Sequence, residues 1–452
     1  MQKKKIVLYS TNAKRRSSDS NCQVFPKWAD LWDQLGEDHP ETEIVLIVQT
    51  TGRYFLDIYD GELVQEPQKI RLVQMDMEAN ADDFMAAIEA ERPDAVIAIN
   101  GPISGRDWNG IRDAAIADRL KAKGIETYCY PLETAFDCFD KWRTHCFLKR
   151  NGFLVPEAVY LHEGLFSRED PASSTGNVYK ETVLGQVKAL PFPIIMKGTT
   201  GSASAGIVVA KTYEEAESYL LSGKVQEDLI IEEYLPGDDY TTEIHGCKGA
   251  FNVLPPYIEF TTDHKDVIDP FGLSTLKYGP IISDEMNTDG IVAELERMAE
   301  LMELSGINNV DLKYSRGKWY IIEINSRWSG ITMLTCGSEG RSPYEIYLSQ
   351  VTGAAKDYRD LNNIKLACNF KIGAAGTQTL AELSTREHVT SVIQYELAHG
   401  EDAKYLFSDV VIAGFTTIEE MAAYLSDLQR EFPEYIAENL ADAMLEKSGA
   451  GR

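Results

Sequence analysis

The chain has 452 residues and carries 44 Lys and Arg against 71 Asp and Glu, a formal charge of −27. That length suits about three packed units, while the acidity excludes a protein that wraps a polyanion or binds an anionic membrane through charge. Seven cysteines with no CxxC pair exclude a disulfide framework and a cysteine zinc site, and no run approaches the roughly 20 apolar residues of a membrane span, so a cytoplasmic setting with neither nucleic acid nor membrane as partner is expected.

The first third alternates strand and helix signals. Residues 6–9 and 44–48 are short β-branched runs of the kind buried in a parallel sheet, and Phe25, Trp28, Leu31, Trp32 and Leu35 fall between them at helical spacing. A second cycle follows, with a helix through Phe84 and Ile88, a strand at 95–99, a helix at 111–123 and a strand at 125–130. This β-α-β rhythm predicts a doubly wound parallel sheet over residues 1–132. The turn at 100–105 then sits at the carboxyl end of the sheet, where it is either a ligand site or only a connection.

Residues 133–150 read as one helix, and 167–177 as a polar loop. From 191 to 258 strand signals with hairpin-like turns dominate, broken by a helix at 213–221. An amphipathic helix at 290–304 precedes two strands, 310–314 and 319–324, joined by a turn at 315–318. After Tyr347 the pattern restarts as strand, strand and helix through Glu431. The expected division is therefore 1–132, 133–237, 238–360 and 361–452.

Four motifs in fixed order carry the chemistry. In IIMKGTTGSASAGIVV (194–209) a strand delivers Lys197 to a loop of small residues and a second strand leaves. Backbone N–H groups and hydroxyls of such a loop can approach phosphate oxygens beside a fixed positive charge. No Gly-Lys-Ser/Thr closes it, so it is not a Walker loop; a plain hairpin tip is the alternative. In LIIEEYLPGDDYTT (229–242) an apolar strand enters an acidic, Pro-Gly-bent segment whose backbone can read a purine edge and whose carboxylate can accept from ribose hydroxyls. A solvated turn is the other reading. In NVDLK (309–313) and YIIEINSRWSG (320–330), Asp311, Glu323 and Asn325 can share one face of two antiparallel strands and offer hard oxygen ligands to Mg²⁺. Finally, the helix FDKWRTHCFLK (139–149) places Lys141 ahead of the Gly-rich loop, from where it can reach a phosphate.

In this order the motifs resemble those of the ATP-grasp superfamily of carboxylate–amine ligases. The resemblance implies an α/β and α+β architecture: an N-terminal doubly wound sheet domain, two α+β lobes that hold ATP, and an extra C-terminal α+β unit. It implies that Lys141 and Lys197 hold the nucleotide phosphates and that Gly201, Ser202, Ser204 and Gly206 belong to the phosphate-covering loop. Glu232 and the backbone of Leu235 match the adenine-binding hinge, Asp239 the ribose-binding acid, and Asp311, Glu323 and Asn325 the ligands of Mg²⁺ or Mn²⁺. Lys277 sits where D-alanine–D-alanine ligases carry a Lys near the transferred phosphate. The tail EINSRWSG is similar to that of L-amino-acid ligases and carbamoyl-phosphate synthetase-like members, which makes Arg327 the candidate for anchoring the acyl phosphate.

Two features depart from D-alanine–D-alanine ligases: Asn309 replaces an Arg two residues before the metal Asp, and Gly198 follows Lys197 in place of Pro. The activity implied is ligation of a small carboxylate to an amine, both amino-acid-like, through an acyl phosphate with release of ADP and phosphate. Self-association as a homodimer is left open. An ATP-dependent carboxylase or carbamoyl-phosphate-type enzyme acting on bicarbonate is the first rival. A nucleotide-binding regulatory protein with a dead site is the second. His264, near Lys277 in sequence, is a further candidate for the acceptor site.

Overall fold

Parallel strands rich in Val, Ile and Leu begin the chain, as residues buried on both faces of a sheet must be. The computed structural model describes residues 3–11, 20–49, 55–59, 62–101, 108–169, 175–201, 206–262, 272–353, 363–399 and 403–449. Its first sheet runs Arg71–Met75, Thr42–Gln49, Lys4–Ser10, Ala95–Ala98, Thr127–Tyr128, all parallel. The order reverses at Lys4–Ser10, so the crevice of this doubly wound sheet lies at the carboxyl ends of Lys4–Ser10 and Ala95–Ala98.

In that crevice Asp113 is fully buried. Its Oδ1 accepts from the Thr11 amide at 3.0 Å and the Thr11 hydroxyl at 2.5 Å. Oδ2 is buried with no hydrogen-bond partner among the described residues. Burial pushes the carboxyl up to about 7, against the Thr11 hydrogen bonds and Arg112. The folded protein therefore holds a proton here that the unfolded chain releases near 3.8, and stability falls as pH rises through that window. Asp113→Asn is expected to lose about 3 kcal/mol less stability than the wild type between pH 5 and pH 8. Urea unfolding at both pH values tests this, and parallel losses in the two proteins would refute it.

A second, four-stranded antiparallel sheet runs Val208–Ala210, Ile194–Gly198, Leu229–Glu233, Ala158–Leu161 and buries Ile194, Met196, Leu229 and Ile231 against the helices Val178–Ala189 and Tyr213–Leu220. The third sheet has ten strands, with main path Lys318–Asn325, Ser305–Ser315, Asp238–Cys247, Tyr257–Thr261, Thr275–Gly279, Leu366–Ile372, Ala403–Phe415, Val389–His399, Ser20–Phe25. One face packs Tyr240, Ile258, Leu276, Val310, Leu312 and Phe370 against helices Thr288–Met302 and Ile418–Glu431. The other face is polar in its middle and holds the candidate site.

Several elements differ from the sequence reading. Phe25 ends a strand on the edge of the ten-stranded sheet; the helix starts only at Trp28, buried with Trp32 against Tyr344. Residues 133–150 form two helices, Leu132–Phe139 and Lys141–Arg150, because the Asp140 side chain caps the second by accepting from the Arg143 amide. Tyr347 lies inside a helix, Pro343–Thr352, capped by Ser342 with Pro in its first turn. The strands that open the C-terminal third continue the ten-stranded sheet, since Thr275–Gly279 pairs directly with Leu366–Ile372. Of the polar loop 167–177 and the turn 100–105, residues 170–174 and 102–105 lie outside the described residues.

Candidate active site between two sheets

Alternation on the Asp238–Cys247 strand turns Tyr240 and Ile244 into the core and leaves Asp239, Thr241, Glu243 and His245 on the other face. Its neighbour does the same with Val310 and Leu312 in the core, placing Asn309, Asp311 and Lys313 on the polar face. Asp311 is opposite Glu323 on the third strand. The register slips between Asp311 and Leu312, so Ile321 keeps the core side beside Leu312 while Glu323 keeps the side of Asp311. Asn325 pairs with Asn309 in register, and its amide nitrogen donates to Asn309 Oδ1 at 3.2 Å. Burial, then the like charges of Glu323 and Glu259, push the Asp311 carboxyl up to about 7, against Lys277 and a Thr241 hydrogen bond.

Facing this pair is the smaller sheet. Ile194 and Met196 enter its core, which leaves Lys197 on the opposite side, where its ammonium meets Glu232 Oε2 at 2.7 Å. Both side chains are almost fully buried. Burial disfavours the Lys197 ammonium, but Glu232, Glu323 and Asp311 together outweigh it and raise its affinity for the proton. The first residue of the Lys141–Arg150 helix links the two sheets. Lys141 donates its amide to Thr199 O at 2.8 Å and its ammonium to Gly201 O at 2.8 Å, and the ammonium lies 3.2 Å from Glu323 Oε1. Gly201 and Gly206 both have positive φ, 120° and 76°; Ser202 and Ser204 lie outside the described residues.

The bend after Leu229–Glu233 depends on Gly237. Its φ is 126°, and a Cβ there would lie 2.2 Å from Tyr314 O, so no side chain fits. Leu235 is buried beside it, and the Tyr234 amide donates to Pro193 O at 2.9 Å. Asp239, beyond the bend, is paired with Lys313 at 2.8 Å.

A cross-strand row continues from there: Lys313, Asp239, Glu259, Lys277 and Asn369 are successive partners across five strands. Lys277 is buried 2.9 Å from Glu259 Oε1. Burial works against its charge, and Glu259, then Asp311 and Asp409, outweigh that. Asp409, ion-paired with buried Lys371, extends the row's charge into the C-terminal strands. Lys313, Glu259, Thr241, Lys371 and Asp409 are the members that sequence reasoning missed. Alternation from Asp311 would have flagged Lys313, and alternation from Asp239 would have flagged Thr241; the others become neighbours only through the strand order.

Arg327 follows the Lys318–Asn325 strand in a tight turn, its amide donating to Asn325 O at 2.7 Å and its guanidinium to Trp328 O at 3.2 Å. Trp328 is driven into the apolar cluster around Trp28, edge-on to Trp28 at 6.0 Å and Phe55 at 5.7 Å, while its amide donates to Asn100 O at 3.1 Å. Gly330 brings the backbone back to Lys277, whose ammonium is 4.0 Å from the position a Cβ would take. His264 lies outside the described residues.

Two carboxylates held side by side in a half-buried place need a cation to stay ionised together, and Asp311 answers by holding its proton to about 7. Among the described residues no group of three or more His, Cys, Asp or Glu side chains is arranged as a metal site. Two carboxylates and one amide oxygen instead fit an ion that completes its shell with phosphate oxygens and water, as Mg²⁺ does. Among the described residues no helix is long and apolar enough to cross a membrane.

The chain is 24% identical over 243 residues to a D-alanine–D-alanine ligase of Clostridium botulinum, covering 51% of this chain and 69% of that one. It is 23% identical over 252 residues to a carbamoyl phosphate synthase large chain of Clostridium beijerinckii, covering 55% of this chain and only 21% of that one. Similar solved structures include the L-amino acid ligase of Bacillus licheniformis, with TM-score 0.61, 16% identity and coverage of 95% and 98% of the two chains. Another is the N5-carboxyaminoimidazole ribonucleotide synthetase of Thermus thermophilus, with TM-score 0.60, 14% identity and coverage of 94% and 98%. Residues 138–331, which run from the helix bearing Lys141 past Arg327 and Gly330, match the sequence model of the ATP-grasp domain.

Proposed function

We propose that this protein is an ATP-dependent carboxylate–amine ligase that forms an amide bond between amino-acid-like substrates and releases ADP and phosphate. The observation that supports it most is the facing of Lys141 and Lys197 with Asp311, Glu323 and Asn325, followed within a few residues by Arg327. In the reaction a carboxylate oxygen of the first substrate attacks the γ-phosphorus of ATP, and the bond to the β–γ bridging oxygen breaks to leave ADP. The amine of the second substrate then attacks the acyl carbon, loses a proton, and expels phosphate.

Lys141 and Lys197 are assigned to the nucleotide phosphates, where their charge balances what develops during transfer. The bend around Leu235 is assigned to adenine and Asp239 to the ribose. Asp311, Glu323 and Asn325 would hold Mg²⁺, which when bound supplies charge neutralisation at the transferring phosphoryl group. Arg327, fixed between Asn325 and Trp328, is assigned to the acyl phosphate, with Lys277 across from Gly330. Lys371 and Asp409 would carry the substrate pocket into the C-terminal strands.

Phosphorylation of bicarbonate is the second reading, drawn from the likeness to carbamoyl phosphate synthase large chains and to N5-carboxyaminoimidazole ribonucleotide synthetases. The assay is ADP formation across amino acids, singly and in pairs, and with bicarbonate. ADP formation that needs both a carboxylate and an amine supports ligation, and Arg327→Ala should then raise the KM for the acid about 30-fold with little change in the KM for ATP. Release with bicarbonate alone supports the second reading, and ATP binding without turnover on any substrate refutes both.

A further inference from the structure

Behind the Arg327 turn lies a buried charged cluster that no step above uses. Glu243 and His245 sit on the polar side of the Asp238–Cys247 strand, and Glu339 is in the last turn of the helix Thr332–Glu339; all three are at most 3% exposed. His245 Nε2 is 3.0 Å from Glu243 Oε2, and Nδ1 is 3.0 Å from Glu339 Oε1. A neutral imidazole has one donor, so a ring held between two carboxylates is satisfied only as the imidazolium. Asn252 adds a neutral donor to Glu339 Oε1 at 3.2 Å, and the strand on the other side presents Ile307.

The remaining bonds of Glu243 go to the turn that follows Arg327. Oε1 accepts from the Thr332 hydroxyl at 2.5 Å and the Ser329 hydroxyl at 3.3 Å, and Oε2 from the Thr335 hydroxyl at 2.6 Å. Thr332 in turn accepts the Ser329 amide at 3.0 Å. A carboxylate at the first turn of a helix is favoured by the helix dipole, whereas Glu339 at the last turn is not and needs the charge of His245. The Arg327 turn is thus pinned twice, by Trp328 in the cluster around Trp28 and by Ser329 and Thr332 on Glu243.

We infer that the Glu243–His245–Glu339 cluster positions Arg327, fixing the first turn of the helix so that the guanidinium and Gly330 stay in place relative to Asp311 and Lys277. The inference rests on the ligase reading for what Arg327 does, and on the geometry alone for what holds it. Glu243, His245 and Glu339 are positioning residues; none is assigned a contact with substrate. Burial works against the imidazolium, but Glu339 and Glu243 outweigh it and raise its pKa to about 9, so the clamp is intact at neutral pH and loosens as pH rises through that value.

Hydrogen–deuterium exchange without substrate reads the anchoring directly. His245→Gln should speed exchange in residues 326–332 about tenfold and leave residues 194–200 unchanged. Thr335→Val, which deletes one hydroxyl, should act the same way more weakly, and Thr335→Ser should restore wild-type exchange if His245→Gln fails to fold. Acid-dependent ADP formation should fall about 30-fold in His245→Gln with the KM for ATP within about twofold, and the wild type's loss of turnover near pH 9 should be absent from that variant.

Unchanged exchange in both His245→Gln and Thr335→Val would overturn the inference. So would faster exchange with an unaltered KM for the acid, provided Arg327→Ala does raise that KM. If Arg327→Ala also leaves the KM for the acid unchanged, the ligase role of Arg327 fails, and the exchange result still decides whether the cluster holds the turn.

Discussion

Glu323→Gln is expected to lower ADP formation about a thousandfold without lowering the melting temperature. The first half follows from the chemistry of the pair: a single oxygen ligand or preorganised charge at a phosphoryl-transfer site is worth roughly two to three orders of magnitude. The second half follows from electrostatics. Glu323 and Asp311 are direct cross-strand partners of like charge, and the repulsion contributes to holding Asp311 protonated up to about 7. Removing one charge lets the other ionise, and Lys141 keeps its bond to Gly201 O. The amide fills the same volume, so no cavity forms. ADP formation and thermal unfolding on the same preparation test both halves. Near-wild-type turnover would refute the metal assignment, and a large fall in melting temperature would make Glu323 a structural residue.

How far such a site can be read without coordinates depends on whether its members are close in sequence. Asp311, Glu323 and Asn325 were legible because two antiparallel strands joined by a short turn place them by alternation. The position of Lys197 at the end of an apolar strand was legible too, although the run of Gly, Ser and Thr after it also suits a plain hairpin tip. Its partner was not: Lys197 and Glu232 are both set on one face by alternation, but nothing local says that their strands are neighbours. Glu259, Lys371 and Asp409 were hidden for the same reason, since each sits in an ordinary strand and joins the site only when the ten-stranded sheet is assembled. The helices Lys141–Arg150 and Pro343–Thr352 show a different failure. Their starts are set by side-chain caps, Asp140 and Ser342, which outweigh a hydrophobic pattern that runs past them. Periodicity found the cores; caps and strand order determined where they meet.

Lys197→Met gives the second large effect, and separates a structural from a catalytic role for the same side chain. Truncating one partner of a buried ion pair leaves the other charged and unpaired, typically at a cost of about 3–5 kcal/mol. Glu232 would be left 3% exposed, with the His145 imidazole 4.0 Å away. Burial lowers the affinity of His145 for a proton, so it is a poor replacement at neutral pH. Lys197→Met is therefore expected to be both unstable and inactive, which alone proves nothing about catalysis. The double variant Lys197→Met, Glu232→Gln removes both charges and should recover most of the lost stability, because a neutral pair of similar shape has no stranded ion. Turnover should not recover, since the charge assigned to the nucleotide phosphates is still absent. Urea unfolding and ADP formation across the two variants give the answer. Recovery of turnover together with stability would show that Lys197 serves only to neutralise Glu232.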